Sequence, residues 1–281
     1  MLGIKELATF KTICLSLVLI IIMVLIISRN SQTIMRYMVG QEVDFKTADF
    51  SQTETLHFNI RYTKTDNENV ELVANASEYA YNAVTDFFNS KPQEKTTIIV
   101  YPDTESLAHS FGWDKNQKAE GVYWAGSIRV ISPDYWQEEV WVTGEYQLQA
   151  GPLVHEFAHL MVDEHTRGNY NRWWTEGIAQ YVEKKITGFQ FREPFSDNQK
   201  MMILPLNILN KEFDRDKGAI AYWQSLKIIE FIVDNYGEEK LFVIMDNLGQ
   251  GDNIKQAITK SLNVNFKDWE ISLYQALLQK N

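Results

Sequence analysis

The chain has 281 residues, of which 45% are hydrophobic and 13% are aromatic. These values are typical of globular proteins and exclude a disordered or fibrous chain. The formal net charge is −10, which argues against a nucleic-acid partner because binding to a polyanion needs a basic face. The length allows one large domain or two small ones.

An apolar run near the N-terminus predicts a membrane anchor. Residues 12–28 carry no charge, and their number reaches the lower limit for a membrane-spanning helix, roughly 17–25 residues. No small-residue cleavage site follows, which favours an uncleaved signal anchor over a cleaved signal peptide. Lys5 and Lys11 precede the run and Arg29 and Arg36 follow it, so the charges leave the orientation open. We expect a single-pass protein of the cell membrane with its main domain extracellular.

The composition after this run predicts a stalk and a folded domain. The predicted boundaries are residues 1–30 for the anchor, 31–54 for a polar stalk and 55–281 for the domain. Cys14, the only cysteine, lies in the anchor, so the domain has no disulfide and depends on packing for its stability. Within the domain, residues 55–150 are expected to be rich in strands and residues 151–281 in helices.

Residue patterns predict the elements of the domain in chain order. Alternating residues from Thr55 and the β-branched run Thr96–Tyr101 predict strands. Apolar spacing over 69–89 and 105–111 predicts helices, and 121–132 predicts a hairpin that turns at Ala125-Gly126. Strands first and helices later predict an α+β fold, with a mixed β-sheet followed by a mainly helical C-terminal part.

A helix that starts at Pro152 is predicted to carry HEFAH at residues 155–159. His155 and His159 lie one turn apart on such a helix, so both imidazoles can bind one Zn²⁺. Glu156 projects beside them, where a general base can take a proton from a zinc-bound water. The alternative is a buried helix that happens to carry two histidines. That alternative is less favourable because a buried charge without a partner is costly, and a metal provides the partner.

Tetrahedral zinc requires a third protein ligand. Glu176 is the preferred candidate, on a second predicted helix whose Gly177 would let it approach the HEFAH helix closely. His165 is the alternative, since it extends the histidine spacing of the metzincin pattern. That pattern needs a glycine turn where this chain has Val162, and a β-branched residue resists such a turn. Asp163 is predicted to be exposed or to orient a ligand.

The sequence His155-Glu156-x-x-His159, followed by Trp-x-x-Glu176-Gly, resembles the gluzincin zinc metallopeptidases. The chain is similar to the peptidase MA-like group of bacterial proteins over about residues 55–275. The resemblance implies one Zn²⁺ bound by the two histidines and Glu176, with Glu156 as the catalytic base. It also implies a peptide or protein substrate and a mixed sheet whose edge strand lies beside the metal.

Three further positions bear on activity. The resemblance implies Tyr222 as the donor to the tetrahedral oxyanion, with Tyr170 as a second candidate, although Tyr222 is equally compatible with an ordinary helix residue. Gln180 stands where thermolysin-like enzymes carry an aspartate, and its amide could orient a histidine. The chain lacks the G-x-M-E-N signature of the aminopeptidases. We therefore expect an endopeptidase rather than an aminopeptidase.

Other interpretations stay open. An inactive metallopeptidase fold could serve as a binding or scaffold protein at the cell surface. The strand 127–132 could pair with a substrate backbone, or it could be a covered strand of the sheet. A carbohydrate-binding surface would use four tryptophans that precede the HEFAH motif: Trp113, Trp124, Trp136 and Trp141.

Overall fold

The structure is a computed structural model that describes residues 4–115, 119–136, 150, 152–189, 193–195, 202–213, 215 and 217–279. The chain divides into two compact units, Met1–Lys46 and Thr47–Asn281. The first unit contains helices α1 (Ile4–Arg29) and α2 (Ser31–Lys46). Residues 31–54, predicted as a polar stalk, thus include a helix, and they also include the first strand of the second unit.

The prediction of a transmembrane helix over residues 12–28 is wrong. In the part of the chain that the structure describes, no helix is both long enough and apolar enough to cross a membrane. A spanning helix needs about 20 consecutive apolar residues, and the predicted run only reached the lower limit of that requirement. The expected membrane attachment through this helix is therefore not supported.

The second unit contains a mixed β-sheet, as predicted, and the described residues form five of its strands. Its strands are β1 (Ser51–Glu54), β2 (Phe58–Tyr62), β3 (Thr96–Tyr101), β4 (Gly121–Trp124) and β5 (Ser127–Ile131). The order is β1-β2-β3-β5-β4, with β2, β3 and β5 parallel and β1 and β4 antiparallel to their neighbours. Because β5 lies between β3 and β4, it is a covered strand, and β4 is one of the two edge strands among those described, with β1 at the opposite edge.

The hairpin of β4 and β5 turns at the two residues that the sequence predicted. Ala125 and Gly126 both have positive φ, 43° and 93°, as a two-residue hairpin turn of the primed type requires. All five residues of β5 are buried, so the hairpin is held firmly in the sheet. Its outer strand β4 contacts the helix that carries the HEFAH sequence.

Helices account for most of the rest of this unit, which confirms the α+β class. They are α3 (Val70–Phe88), α4 (Thr104–Phe111), α5 (Leu153–Thr166), α6 (Arg172–Thr187), α7 (Leu206–Leu209), α8 (Gly218–Tyr236), α9 (Glu239–Gly249), α10 (Ile254–Leu262) and α11 (Phe266–Gln279), with short 3₁₀ helices at Lys64–Asp66 and Pro133–Tyr135. Helix α5 contacts β4, β5, α3 and α6. It is therefore the element on which the sheet and the helical part meet.

Aromatic packing holds α5 in place. The Phe157 ring contacts the rings of Phe58 on β2 and Tyr81 on α3, with centroid distances of 5.7 Å and 5.5 Å. Phe157 and Phe58 are each 1% exposed. Burying such side chains contributes about 1.5–3 kcal/mol each, so one face of α5 is anchored in the core while its histidines occupy another.

Gly177 on α6 allows a close helix contact, but with a different helix from the one expected. A Cβ at Gly177 would lie 2.5 Å from the carbonyl oxygen of Ser225 and 2.7 Å from Cγ1 of Ile229. Both residues belong to α8, whereas the sequence indicated α5 as the neighbour. The absence of a side chain therefore brings α6 and α8 together, and Tyr222 on α8 comes near the α6 side chains.

Candidate metal centre

Helices α5 and α6 bring together the side chains of His155, His159 and Glu176. The two Nε2 atoms are 3.1 Å apart, and each lies 3.6 Å from Oε2 of Glu176. A tetrahedral zinc ion with bonds of about 2.0–2.1 Å holds its ligand atoms about 3.3–3.4 Å apart. The three atoms thus have the spacing that one shared ion requires, and two imidazoles with a carboxylate suit zinc.

The Nδ1 atom of each histidine lies within hydrogen-bond distance of a side chain on α6. Nδ1 of His155 lies 3.0 Å from Oε2 of Glu183, and Nδ1 of His159 lies 2.6 Å from Oγ1 of Thr175. A histidine whose Nδ1–H donates to such an oxygen presents the lone pair of its Nε2. Both rings are therefore oriented so that Nε2 faces Glu176.

Glu183 was missed by the sequence analysis, which considered Gln180 for this role. Nε2 of Gln180 instead donates to the carbonyl oxygens of Glu176 and Tyr222, at 3.1 Å and 2.9 Å. Glu183 lies seven residues after Glu176, nearly two helical turns further along the same face. That spacing was the signal that could have identified it.

Charges in this centre are strongly coupled. Burial opposes ionisation of Glu176, but hydrogen bonds with His155 and His159 outweigh it and hold the pKa of Glu176 well below its usual range. Burial likewise opposes protonation of His155, yet the carboxylates of Glu183 and Glu176 raise the pKa of His155 well above 6.5. A metal ion bound between these groups would compete with the protonation of His155.

Glu156 lies on the same helix and is 6% exposed. The main-chain N–H of Tyr123 on β4 donates to its Oε2 at 2.5 Å. A Cβ at Gly121 would lie 2.8 Å from Cγ of Glu156, so only glycine lets β4 run this close. Burial raises the pKa of Glu156, although His155 and His159 act in the opposite direction. A carboxylate with a raised pKa is suited to accept a proton.

Tyr222 lies beside this centre, in the first turns of α8. Nη2 of Arg172 is 3.4 Å from the Tyr222 hydroxyl, while Nε of Arg172 is 3.5 Å from Oε1 of Glu176. Burial and the charge of Glu176 raise the pKa of Tyr222, so its hydroxyl stays protonated and can donate. Arg172, four residues before Glu176, was not identified from the sequence. Tyr170 lies in the connection between α5 and α6.

His165 does not join the other two histidines. Helix α5 continues through Val162 to Thr166, so the turn that would bring His165 back is not made. Nε2 of His165 instead lies 2.8 Å from Oγ of Ser90, and its ring contacts Phe88 at 5.5 Å. Asp163 is buried and accepts a hydrogen bond from the hydroxyl of Tyr123 at 2.6 Å.

The tryptophans considered for carbohydrate binding have different environments. Trp113 stacks on Phe111 with a centroid distance of 4.5 Å, and Trp136 is buried with its Nε1–H donating to the carbonyl oxygen of Ile131. Trp124 is exposed, and Trp141 lies outside the described residues. Packing within the fold therefore accounts for Trp136, whereas Trp113 and Trp124 are both exposed.

A mixed sheet whose edge strand lies against an HEFAH helix, next to a second helix with a buried glutamate, defines a metallopeptidase-like class of protein. The comparison with known families agrees with this class. The sequence model of the Peptidase MA superfamily matches residues 80–275, more than half of the chain. The chain belongs to this superfamily and is a peptidase-type hydrolase, whose substrates are peptides or proteins. Among curated proteins, none matches the chain.

Proposed function

We propose that the chain is a zinc-dependent peptidase of the gluzincin type, and that it cleaves internal peptide bonds. His155, His159 and Glu176 would hold the ion. One observation carries the proposal: the two Nε2 atoms and Oε2 of Glu176 lie 3.1–3.6 Å apart. The contacts of Nδ1 with Glu183 and Thr175 support it, because they leave each Nε2 available as a ligand.

The residues around the ion would divide the work of hydrolysis. A bound zinc ion lowers the pKa of a coordinated water to about 7 and polarises a carbonyl group. Glu156 would accept the proton of the attacking water and then deliver it to the leaving amine. Tyr222 would donate its hydroxyl proton in a hydrogen bond to the developing oxyanion. Arg172 would keep Tyr222 in place through its contacts with the hydroxyl and with Glu176.

The position of β4 supports a peptide substrate in extended conformation. Of the two edge strands among the described strands, β4 is the one that contacts α5, and its Tyr123 amide donates to Glu156. A peptide that pairs along such an edge would pass beside the base. Because the chain lacks the aminopeptidase signature that grips a free amine, we propose that β4 receives the interior of a chain rather than its end.

The experiment is hydrolysis of casein and of a fluorescence-quenched peptide whose ends are acetylated and amidated. We expect the zinc-loaded wild type to cleave both substrates, because an endopeptidase needs no free terminus. Glu156→Gln should retain zinc and hydrolyse about 10²–10⁴-fold more slowly, since proton transfer by a positioned group contributes typically that factor. Glu164→Gln, on the same helix α5, is the matched control and should retain activity.

Each outcome decides a part of the proposal. Full hydrolysis by Glu156→Gln would reject the mechanism. Cleavage of casein without cleavage of the blocked peptide, with release of single terminal residues, would reject the endopeptidase part. Zinc binding without hydrolysis in the wild type would favour the scaffold interpretation instead.

A further inference from the structure

Tyr123 connects the edge strand to the catalytic helix at two points. Its main-chain N–H donates to Oε2 of Glu156 at 2.5 Å, and its hydroxyl donates to Oδ2 of Asp163 at 2.6 Å. The hydroxyl oxygen also accepts a hydrogen bond from the N–H of Gly126 in the hairpin turn, at 3.0 Å. One residue thus links the strand, the turn and the helix.

The two carboxylates that Tyr123 contacts lie on one face of α5. Glu156 and Asp163 are seven residues apart, which places them about 10 Å apart along the helix and almost in line. They are 6% and 5% exposed. A buried carboxylate is costly unless it accepts hydrogen bonds, and Tyr123 gives one to each. Tyr123 therefore lies along this face of the helix.

The gap between β4 and α5 is narrow on both sides of this residue. Gly121 precedes Tyr123 by two positions, so the two residues point to the same side of the strand. A Cβ at Gly121 would lie 2.9 Å from Oε1 of Glu156. The carboxylate of Glu156 is thus enclosed by β4, and a small shift of the strand would change its orientation.

We propose that Tyr123 is a positioning residue for hydrolysis, and that its hydroxyl bond to Asp163 fixes the distance between β4 and α5. Tyr123 acts through Glu156: the hydroxyl bond holds the strand, and the strand amide holds the carboxylate. We call Tyr123 and the two carboxylates that it contacts, Asp163 and Glu156, the brace. The catalytic part of the inference depends on the proposed peptidase function, whereas the brace itself does not.

Tyr123→Phe tests the brace because it removes the hydroxyl and keeps the ring and the main chain. We expect kcat for the blocked peptide to fall about ten- to hundredfold, since small misplacements of a reacting group cost up to about 10²-fold. KM should change by a smaller factor than kcat, and zinc content should stay at the wild-type value. A loss of folded protein would instead lower zinc content and kcat together.

Tyr274→Phe is the matched control. The Tyr274 hydroxyl also lies between a carboxylate and an amide, at 3.0 Å from Oε1 of Glu270 and 2.9 Å from the main-chain nitrogen of Leu206. It belongs to α11, which carries none of the proposed site residues. Tyr274→Phe loses the same kind of bonds, and it should leave kcat within about twofold of wild type.

Substitutions of Asp163 separate hydrogen bonding from packing. Asp163→Asn retains an oxygen that can accept the bond from Tyr123, so it should keep kcat within about threefold. Asp163→Leu has a similar size but no acceptor, and it should reproduce the effect of Tyr123→Phe. The double variant Tyr123→Phe/Asp163→Leu should be no slower than the slower single variant, because both changes break one interaction.

Hydrogen exchange of β4 separates this inference from the proposed function. Amide exchange in a peptide covering residues 119–127 should be at least about fivefold faster in Tyr123→Phe than in wild type or Tyr274→Phe. Unchanged exchange would overturn the brace, whether or not the wild type hydrolyses peptides. Faster exchange with wild-type kcat, or with KM alone altered, would overturn the positioning role. A wild type that hydrolyses nothing would reject the peptidase proposal and the catalytic role of Tyr123, and the exchange data would then decide the brace alone.

Discussion

The two ends of α5 carry histidines with opposite environments. At its N-terminal end, His155 and His159 face the carboxylate of Glu176, and Glu183 raises the pKa of His155. At its C-terminal end, His165 packs between Ser90 and the Phe88 ring, and burial lowers its pKa. Histidine thus belongs to a charged centre at the N-terminal end of α5, whereas at the C-terminal end it makes a neutral packing contact.

The geometry of the helix explains why His165 does not join the other two histidines. Residues four apart lie about 40° from each other around the axis and about 6 Å apart along it, whereas residue 165 lies about 80° from residue 155 around the axis and about 15 Å further along it. Only the first pair can meet a ligand from α6. A histidine therefore becomes a metal ligand through its position relative to acidic neighbours, and not through its presence on the helix.

The largest expected effect is the difference in zinc binding between His159→Ala and His165→Ala. His159→Ala should weaken zinc binding by about 10²–10³-fold, because three ligands share a binding free energy on the order of 10 kcal/mol. Hydrolysis should disappear with the metal. His165→Ala should retain both zinc and hydrolysis. Metal analysis of the purified variants checks this, and zinc loss in His165→Ala alone would show that the wrong histidine was assigned.

The residue that orients His155 should have a smaller effect. Glu183→Gln keeps the size of the side chain but removes its charge, and we expect zinc affinity to fall about 10–100-fold, as for other groups that orient ligands. Titration against a competing chelator measures the affinity. Glu164→Gln removes a carboxylate from α5 that is not near Nδ1 of His155 and serves as the control. Equal zinc affinities for Glu183→Gln and Glu164→Gln would show that Glu183 does not support zinc binding.

The pH dependence of zinc binding should follow from the raised pKa of His155. Below that pKa the metal-free site holds a proton on His155, which the metal must displace. The zinc dissociation constant should therefore rise by up to about tenfold for each pH unit lost, and level off above the raised pKa. Competition titrations between pH 6 and 8 check this prediction. A dissociation constant independent of pH would mean that His155 is neutral without metal.

The smallest expected effect concerns the other end of the helix. Ser90→Ala removes the hydroxyl 2.8 Å from Nε2 of His165 and should lower the free energy of unfolding by about 0.5–1.5 kcal/mol. Zinc affinity and kcat should be unchanged, because His165 belongs to no ligand set. Denaturant unfolding and zinc titration of the same preparation measure both quantities. A change in zinc affinity would show that the environment of His165 influences the metal site, contrary to the expected independence of the two ends of α5.

Local patterns predicted much of the fold. The strand Thr96–Tyr101 has the predicted bounds, since a β-branched run followed by Pro102-Asp103 is unambiguous. The hairpin turn at Ala125-Gly126 and the helix after Pro152 also follow from short-range preferences. Within the site, the meeting of His155 and His159 depends only on helical spacing, so it too could be predicted.

The remaining features depend on contacts between distant segments. The seven-residue spacing places Glu183 on the same face of α6 as Glu176, but the contact of that face with His155 depends on the rotation of α6 against α5. The neighbour of Gly177 is α8 rather than α5 for the same reason. The order of strands decides that β4 and not β5 is the edge strand, and the bonds of Tyr123 follow from that order.

The central claim is that His155, His159 and Glu176 share one zinc ion. Anomalous diffraction at the zinc absorption edge, from crystals of zinc-loaded wild-type protein, tests it most directly. We predict a single strong peak on this site, about 2.0–2.2 Å from both Nε2 atoms and from a carboxylate oxygen of Glu176. A peak at His165 or at another group, or no peak among these three residues in zinc-loaded crystals, would contradict the account.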